Sequence, residues 1–196
     1  EVVRMGQIVA DNLTTAAKGF VEKDEKSTQE VFSQEKIINR LESDIVQYLV
    51  ELSDAPLTKA QHAQVNMLIN VVNDIERVGD HADNIAELAQ TAIEDDLEFS
   101  EEAIEEFNYI SSRSLEIFNM ALECLENNDF DKAREILKLE EEIDELEEKY
   151  RQTHIDRLNK HLCLPTSGAV FLDLLSNYER VSDHSSNIAL YILDQF

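Results

Sequence analysis

Glu76 and Asp80 stand four residues apart, as do Glu179 and Asp183, and both pairs sit in nearly the same words: IERVGDHADNIA at 75–86 and YERVSDHSSNIA at 178–189. A helix carries residues i and i+4 on one face, so each pair would present two carboxylates about 6 Å apart, able to grip one hard cation. Glu35 with Asn39, and Glu140 with Asp144, repeat the spacing in a second segment of each half. Two neighbouring helices offering such pairs could converge four carboxylate or amide oxygens, the start of a multi-ligand or multinuclear metal site.

Spacing alone is weak evidence here. With 42 acidic residues in 196, about nine acidic i,i+4 pairs are expected from composition. The context is what distinguishes these pairs: eight of the twelve aligned positions are identical, and most of the identities are polar. A repeat kept only for packing would retain apolar positions and let surface ones drift, so a repeated Glu-Arg-x-x-Asp-His points to a site used twice. Against this, Ile75, Val78, Ala82, Ile85 and Ala89 form an apolar seam that puts Glu76 and Asp80 on its outward flank, the ordinary place for solvated carboxylates. Metal binding and a solvated acidic ridge therefore stand side by side as readings.

The neighbouring residues divide in the same way. Arg77 and Arg180 can pair with Asp80 and Asp183 at i+3, or can neutralise part of a crowded acidic site. His81 and His184 lie about 140° around the helix from their Glu, which favours packing or support over ligation. Asn84 and Asn187, four residues after each Asp, fall toward the carboxylate face, where they would orient ligands or water or stand as surface amides. The run Glu140–Glu148 has seven acidic residues in nine, mostly a solvated helix face. Phe20, Phe32, Phe107, Phe118 and Phe171 are read as packing.

The elements that must position these residues are themselves duplicated. A shift of 105 residues lays Val31, Gln34, Ile38, Leu41 and Ile45 on Ile136, Leu139, Ile143, Leu146 and Tyr150, and Leu13, Ala17 and Phe20 on Phe118, Leu122 and Leu125. Four Gly and two Pro leave little turn material, so long helices are expected. The first spans about 2–22. The second starts near Ser27, capped by Ser27 or Thr28, and runs to about Ser53. The third is capped by Thr58 after Pro56 and reaches about Leu97. Ser100 opens the fourth, which runs to about Glu126. Asp129 caps the fifth, and the sixth runs from about Thr166 to the end. The fold expected is all-α, two tandem antiparallel three-helix bundles over 1–97 and 98–196.

A net charge of −25 disfavours nucleic acid and direct contact with anionic lipid, and favours cations or basic partners. Most of that charge is accounted for by a solvated surface. Cys124 and Cys163 have no metal-type spacing and form no disulfide framework, which points to a reducing compartment and a cytoplasmic location. The longest apolar run, Ile188–Leu193, is six residues, against the ~20 needed to cross a bilayer. Glu1 in place of Met is consistent with a processed chain or a fragment of a longer one. No nucleophile elbow, phosphate loop or paired Cys and His marks an enzyme, and a ferritin-like di-metal oxidase would need Glu-x-x-His where this chain has a spacing of five.

At Glu76-Arg77-Val78-Gly79-Asp80-His81 with Asn84-Ile85-Ala86, and at Glu179-Arg180-Val181-Ser182-Asp183-His184 with Asn187-Ile188-Ala189, the chain resembles the PhoU phosphate-uptake regulators. Glu140-x-x-x-Asp144 fits that family's partner motif, while Asn39 stands where it has Asp. The likeness covers nearly the whole chain. HIDRLNKHLCLPTSGAVFLDLLSNYERVSDH and YLVELSDAPLTKAQ are most similar to the soluble C-terminal PhoU domain of sodium/phosphate cotransporter-family proteins. The resemblance implies a non-enzymatic regulatory domain, tethered at the inner face of the membrane and governing phosphate flux. It implies a phosphate transporter or its membrane domain as partner, with a signalling kinase and a homodimer as further candidates.

The resemblance also implies metal ions, iron or zinc before magnesium, manganese or nickel, at Glu35, Asn39, Glu76, Asp80, Glu140, Asp144, Glu179 and Asp183. Asn is a neutral, weaker ligand than Asp for a hard cation, so the second half is expected to bind more tightly. The alternative is a purely structural helical interaction module without functional metal.

Overall fold

The computed structural model describes residues 1–194, which form six helices: α1 (Val2–Val21), α2 (Glu25–Ser53), α3 (Lys59–Glu94), α4 (Glu101–Asn127), α5 (Phe130–Asn159) and α6 (Pro165–Leu193). The all-α architecture expected from the sequence is the one observed.

Helix ends follow local chemistry. Thr58 closes a capping box with Gln61, and Ser100 and Asp129 cap α4 and α5 with their side chains. The start of α2 differs from expectation: Asp24 is its cap, accepting from the Lys26 amide, and Ser27 and Thr28 are buried in the first turn. A carboxylate at the cap also meets the positive end of the helix dipole, which neither hydroxyl would do. Two further ends shift: α3 stops at Glu94 rather than about Leu97, and α6 begins on Pro165, whose missing N–H costs nothing at the first helical position.

The turns repeat as the helices do. Lys23 and Asn128 are both left-handed, with φ of 50° and 51°. After each, an Asp amide donates back across the turn, from Asp24 to the Gly19 carbonyl and from Asp129 to the Cys124 carbonyl.

Helices α1, α2 and α3 pack on one another, as do α4, α5 and α6, and the two sets meet along α3 with α6 and α1 with α4. Their apolar faces form one continuous core. Phe20 from the first half packs with its ring tilted 50° against Phe107 of the second, centroids 4.6 Å apart, and Phe107 meets Tyr178 edge-on at 5.5 Å, so aromatic contacts cross between halves. Ile75, Val78, Ala82, Ile85 and Ala89 are wholly buried, as the seam on α3 requires. The central helices α3 and α6 are thereby fixed on their inner faces, and each presents its carboxylates toward the helix before it.

Candidate metal centres on paired helices

In the second half, α5 and α6 bring Glu140, Asp144 and Asp183 together, with one carboxylate oxygen of each lying within 4.8 Å of the others. Glu140 and Asp183 are half-buried and Asp144 is exposed, so the cluster forms a ridge-side notch open to solvent. Crowding of like charge in a partly dry place favours the protonated acid. Burial, then Asp144 and Asp183, holds the Glu140 carboxyl above its usual range. Burial and Asp183 do the same to Asp144. Glu179, one turn before Asp183, is pushed up to about 7 by burial and by Asp183 and Asp144. Three of the four residues expected here converge; Glu179 stands beside them, outside the closest group.

The first half is looser. Among the described residues, no comparable three-residue group of the same tightness forms around Glu35, Glu76 and Asp80. Glu35 is nevertheless the most perturbed acid of this half, pushed up to about 7 by burial and by the negative charge of Asp80 and Asp83, against the opposing hydrogen bond from Asn39. Burial and Asp80 likewise hold Glu76 above its usual range. Asn39, exposed on the same face of α2, is a neutral amide where the second half has Asp144. Glu35 Oε2 is buried without a hydrogen-bond partner. An orphaned carboxylate oxygen beside further acids is a donor set to which a cation would supply the missing partner, and the observed residues fit such an ion.

Asp83 is the acid that sequence reasoning missed. It is half-buried, and burial together with Glu87 and Asp80 raises its carboxyl. Its spacing of seven from Glu76 and three from Asp80 places it on their face, a signal the two-residue motif did not include.

Arg77 and Arg180 do not form the i+3 bridges the spacing allows: among the described residues, no ion pair within 4.0 Å joins either to Asp80 or Asp183. Asn84 and Asn187 are not ligand-orienting groups on the acidic face. They belong to a polar lock between the halves. His184 Nδ1 lies 2.8 Å from Asp74 Oδ1, to which Asn187 also donates at 3.3 Å. His81 Nδ1 lies 2.9 Å from Asn177 Oδ1, to which Asn84 donates at 3.4 Å.

An amide oxygen can only accept, so His81 carries its proton on Nδ1, and the same tautomer suits the Asp74 carboxylate. The two imidazoles stack at 5.5 Å across the junction. His81 and His184 are packing groups here, and the shared polar words of the two motifs are explained partly by this lock and partly by the carboxylates. Asp74 and Asn177, its other members, lie just upstream of the repeated segments and were not identified from the sequence.

Two three-helix sets, each displaying acids from its second and third helices, define a class of duplicated helical-bundle domain. The family model for the PhoU domain matches residues 2–89 and 108–192, and the chain belongs to that family. The chain is 25% identical to the phosphate-specific transport system accessory protein PhoU homolog 1 of Thermotoga maritima, over 96% of this chain and 81% of that protein. It is likewise 25% identical to the homolog of Streptococcus pneumoniae, over 94% of this chain and 84% of the relative.

Among solved structures, PhoU from Pseudomonas aeruginosa superposes with a TM-score of 0.93 at 20% identity, covering 99% of this chain and 92% of that one. The phosphate transport system regulatory protein PhoU of Streptococcus pneumoniae gives 0.89 at 22% identity, covering 99% and 90%. These relatives are named as accessory and regulatory proteins of phosphate transport.

Proposed function

We propose that this chain is a regulatory domain of phosphate transport whose paired helical carboxylates hold metal ions, with the tighter site in the second half. The phosphate-transport part rests on family membership and on relatives named as accessory proteins of the phosphate-specific transport system. The metal part rests on one observation above the others: Glu140, Asp144 and Asp183 converge from two helices to within 4.8 Å, at a cost in mutual repulsion that a cation would relieve. The donor atoms are all oxygen, which suits iron, manganese or magnesium better than zinc or nickel.

The bound ion would neutralise the ridge and tie α5 to α6 and α2 to α3, setting the shape of the surface presented to a transporter. No helix among the described residues is long and apolar enough to cross a membrane, so contact with a transporter runs through a separate membrane domain, whether in the same longer chain, as in the sodium/phosphate cotransporter type, or in another. A signalling kinase and a second copy of this chain are further partners consistent with this reading.

The test is elemental analysis of protein purified from metal-replete medium, beside the double variant Asp80→Ala with Asp183→Ala. Bound iron or manganese lost in the variant supports the reading; metal-free wild type leaves only a structural helical module.

A further inference from the structure

At one end of the second half, the start of α4, the end of α5 and the start of α6 border a cavity of about 290 Å³, walled by Ser100, His154, Arg157, Leu162, Cys163 and Ser167. Small-molecule sites begin at roughly 300 Å³, so this one suits a compact ligand.

The buried polar groups on its wall are donors without good acceptors. Ser167 is 1% exposed, and its hydroxyl has no hydrogen-bond partner among the described residues. Arg157 donates to Glu106 through Nη2, while its Nε is buried and likewise unpartnered. The same Nη2 lies 3.2 Å from His154 Nδ1. A guanidinium only donates, so Nδ1 is the acceptor and the His154 proton sits on Nε2. That N–H is left with the Cys163 sulfur at 3.9 Å, a weak acceptor. Burial and the Arg157 charge push His154 down to about 4, so the ring is neutral near pH 7 and keeps this tautomer. His154 is itself 2% exposed, and stacking on Phe171 at 4.5 Å fixes the direction of its donor.

The helix that begins at this wall adds to the set. The N-terminus of α4 is satisfied internally: Ser100 caps it, and Glu101 and Glu102 stand in its first turn. In α6 the cap is Leu164, which makes no side-chain bond, and the first turn has no acid. Pro165 has no N–H, which leaves the Thr166 and Ser167 amides as the first donors of this positive helix end. Glu98 and Glu102 also border the cavity, but both are exposed, and the Glu102 carboxylate is committed to α4, accepting from its own amide and from Ser100.

We propose that this cavity binds a small oxyanion, a phosphate or a short carboxylate, which accepts from Ser167 Oγ, Arg157 Nε and His154 Nε2 at the positive end of α6. A ligand that only accepts answers these donors. The cations proposed for the acidic ridges do not, so this site stands apart from that reading.

Calorimetric titration of the full chain with inorganic phosphate and, separately, with acetate reads binding and tells the two sources apart. Alkylation by iodoacetamide, followed by peptide mass spectrometry, locates it: Cys163 lines the cavity, while buried Cys124 on α4 is the internal reference. The bound anion is expected to slow alkylation of Cys163 several-fold. Ser167→Ala removes an unpartnered hydroxyl and installs a good helix former, so the melting temperature of the anion-free chain should hold or rise. The same variant is expected to weaken anion binding about tenfold or more, an effect that a purely structural Ser167 would not produce. Either anion binding with both signatures supports the site, and the tighter one names its source. A wild-type chain that binds neither anion, binding that leaves Cys163 unprotected, or an affinity unmoved by Ser167→Ala overturns it.

Discussion

The two halves of this chain carry the same three-helix order, the same Asp cap on the second helix and the same motif, yet their acidic clusters are unequal. In the second, Glu140, Asp144 and Asp183 already meet within 4.8 Å. In the first, Asn39 stands where the second half has Asp144, and Glu35 is left with a buried oxygen that has no hydrogen-bond partner. The difference teaches that duplication preserves backbone and seam more strictly than the acids on the outer faces. Helix packing tolerates few changes in the core, whereas an acid on a half-exposed face can be exchanged without disturbing the fold.

The largest effect should come from breaking the preformed site. Glu140→Gln with Asp183→Asn is predicted to lower cation affinity of the second half about 100-fold, measured by calorimetric titration with manganese(II), because two of three converging charges are lost.

Next is the lock between the halves, which is also unequal: a carboxylate at Asp74 and an amide at Asn177 receive the same His and Asn donors. Asp74 is 4% exposed. Asp74→Ala would strand His184 and Asn187 and is predicted to cost about 1–3 kcal/mol in denaturant unfolding. Asp74→Asn should cost clearly less, since Asn177 shows that an amide fills the same role.

The pH dependence of the metal-free protein follows from Glu35 and Glu179, both pushed up to about 7 from an ordinary 4.5. Between those values the native chain holds protons that the unfolded chain has released. Stability of the metal-free protein is therefore predicted to fall as pH rises from about 4.5 to about 7, read as a declining melting temperature. Glu35→Gln with Glu179→Gln should flatten the curve. A cation competes with those protons, so the melting-temperature gain from manganese(II) should grow over the same range.

The smallest effect compares the two equivalent caps. Asp24→Ala and Asp129→Ala should each cost about 1 kcal/mol, and about equally, by thermal unfolding.

Much of the fold was readable from periodicity and caps. Thr58, Ser100 and Asp129 announce their helices because a polar cap precedes an apolar repeat. Asp24 was overlooked although it aligns with Asp129 at the same 105-residue shift, because Ser27 and Thr28 offered a competing cap nearby. The candidate site was readable as far as spacing goes: Glu140, Asp144 and Asp183 meet because helical i+4 pairs on adjacent helices face each other.

What spacing does not carry is how two helices are rotated against each other. That rotation puts Asn84 and Asn187 on the junction rather than on the acid, and lets the negative charge of Asp83 reach Glu35. Asp74 and Asn177 were unreadable for the same reason: their partners lie about 100 residues away.

The most direct test of the central claim is a side-by-side calorimetric titration of Asp80→Ala and Asp183→Ala with manganese(II). Cations held by both ridges, more tightly in the second half, predict that each variant loses binding and that Asp183→Ala removes the tighter phase. Equal losses, or a wild-type chain that takes up no metal, would contradict it.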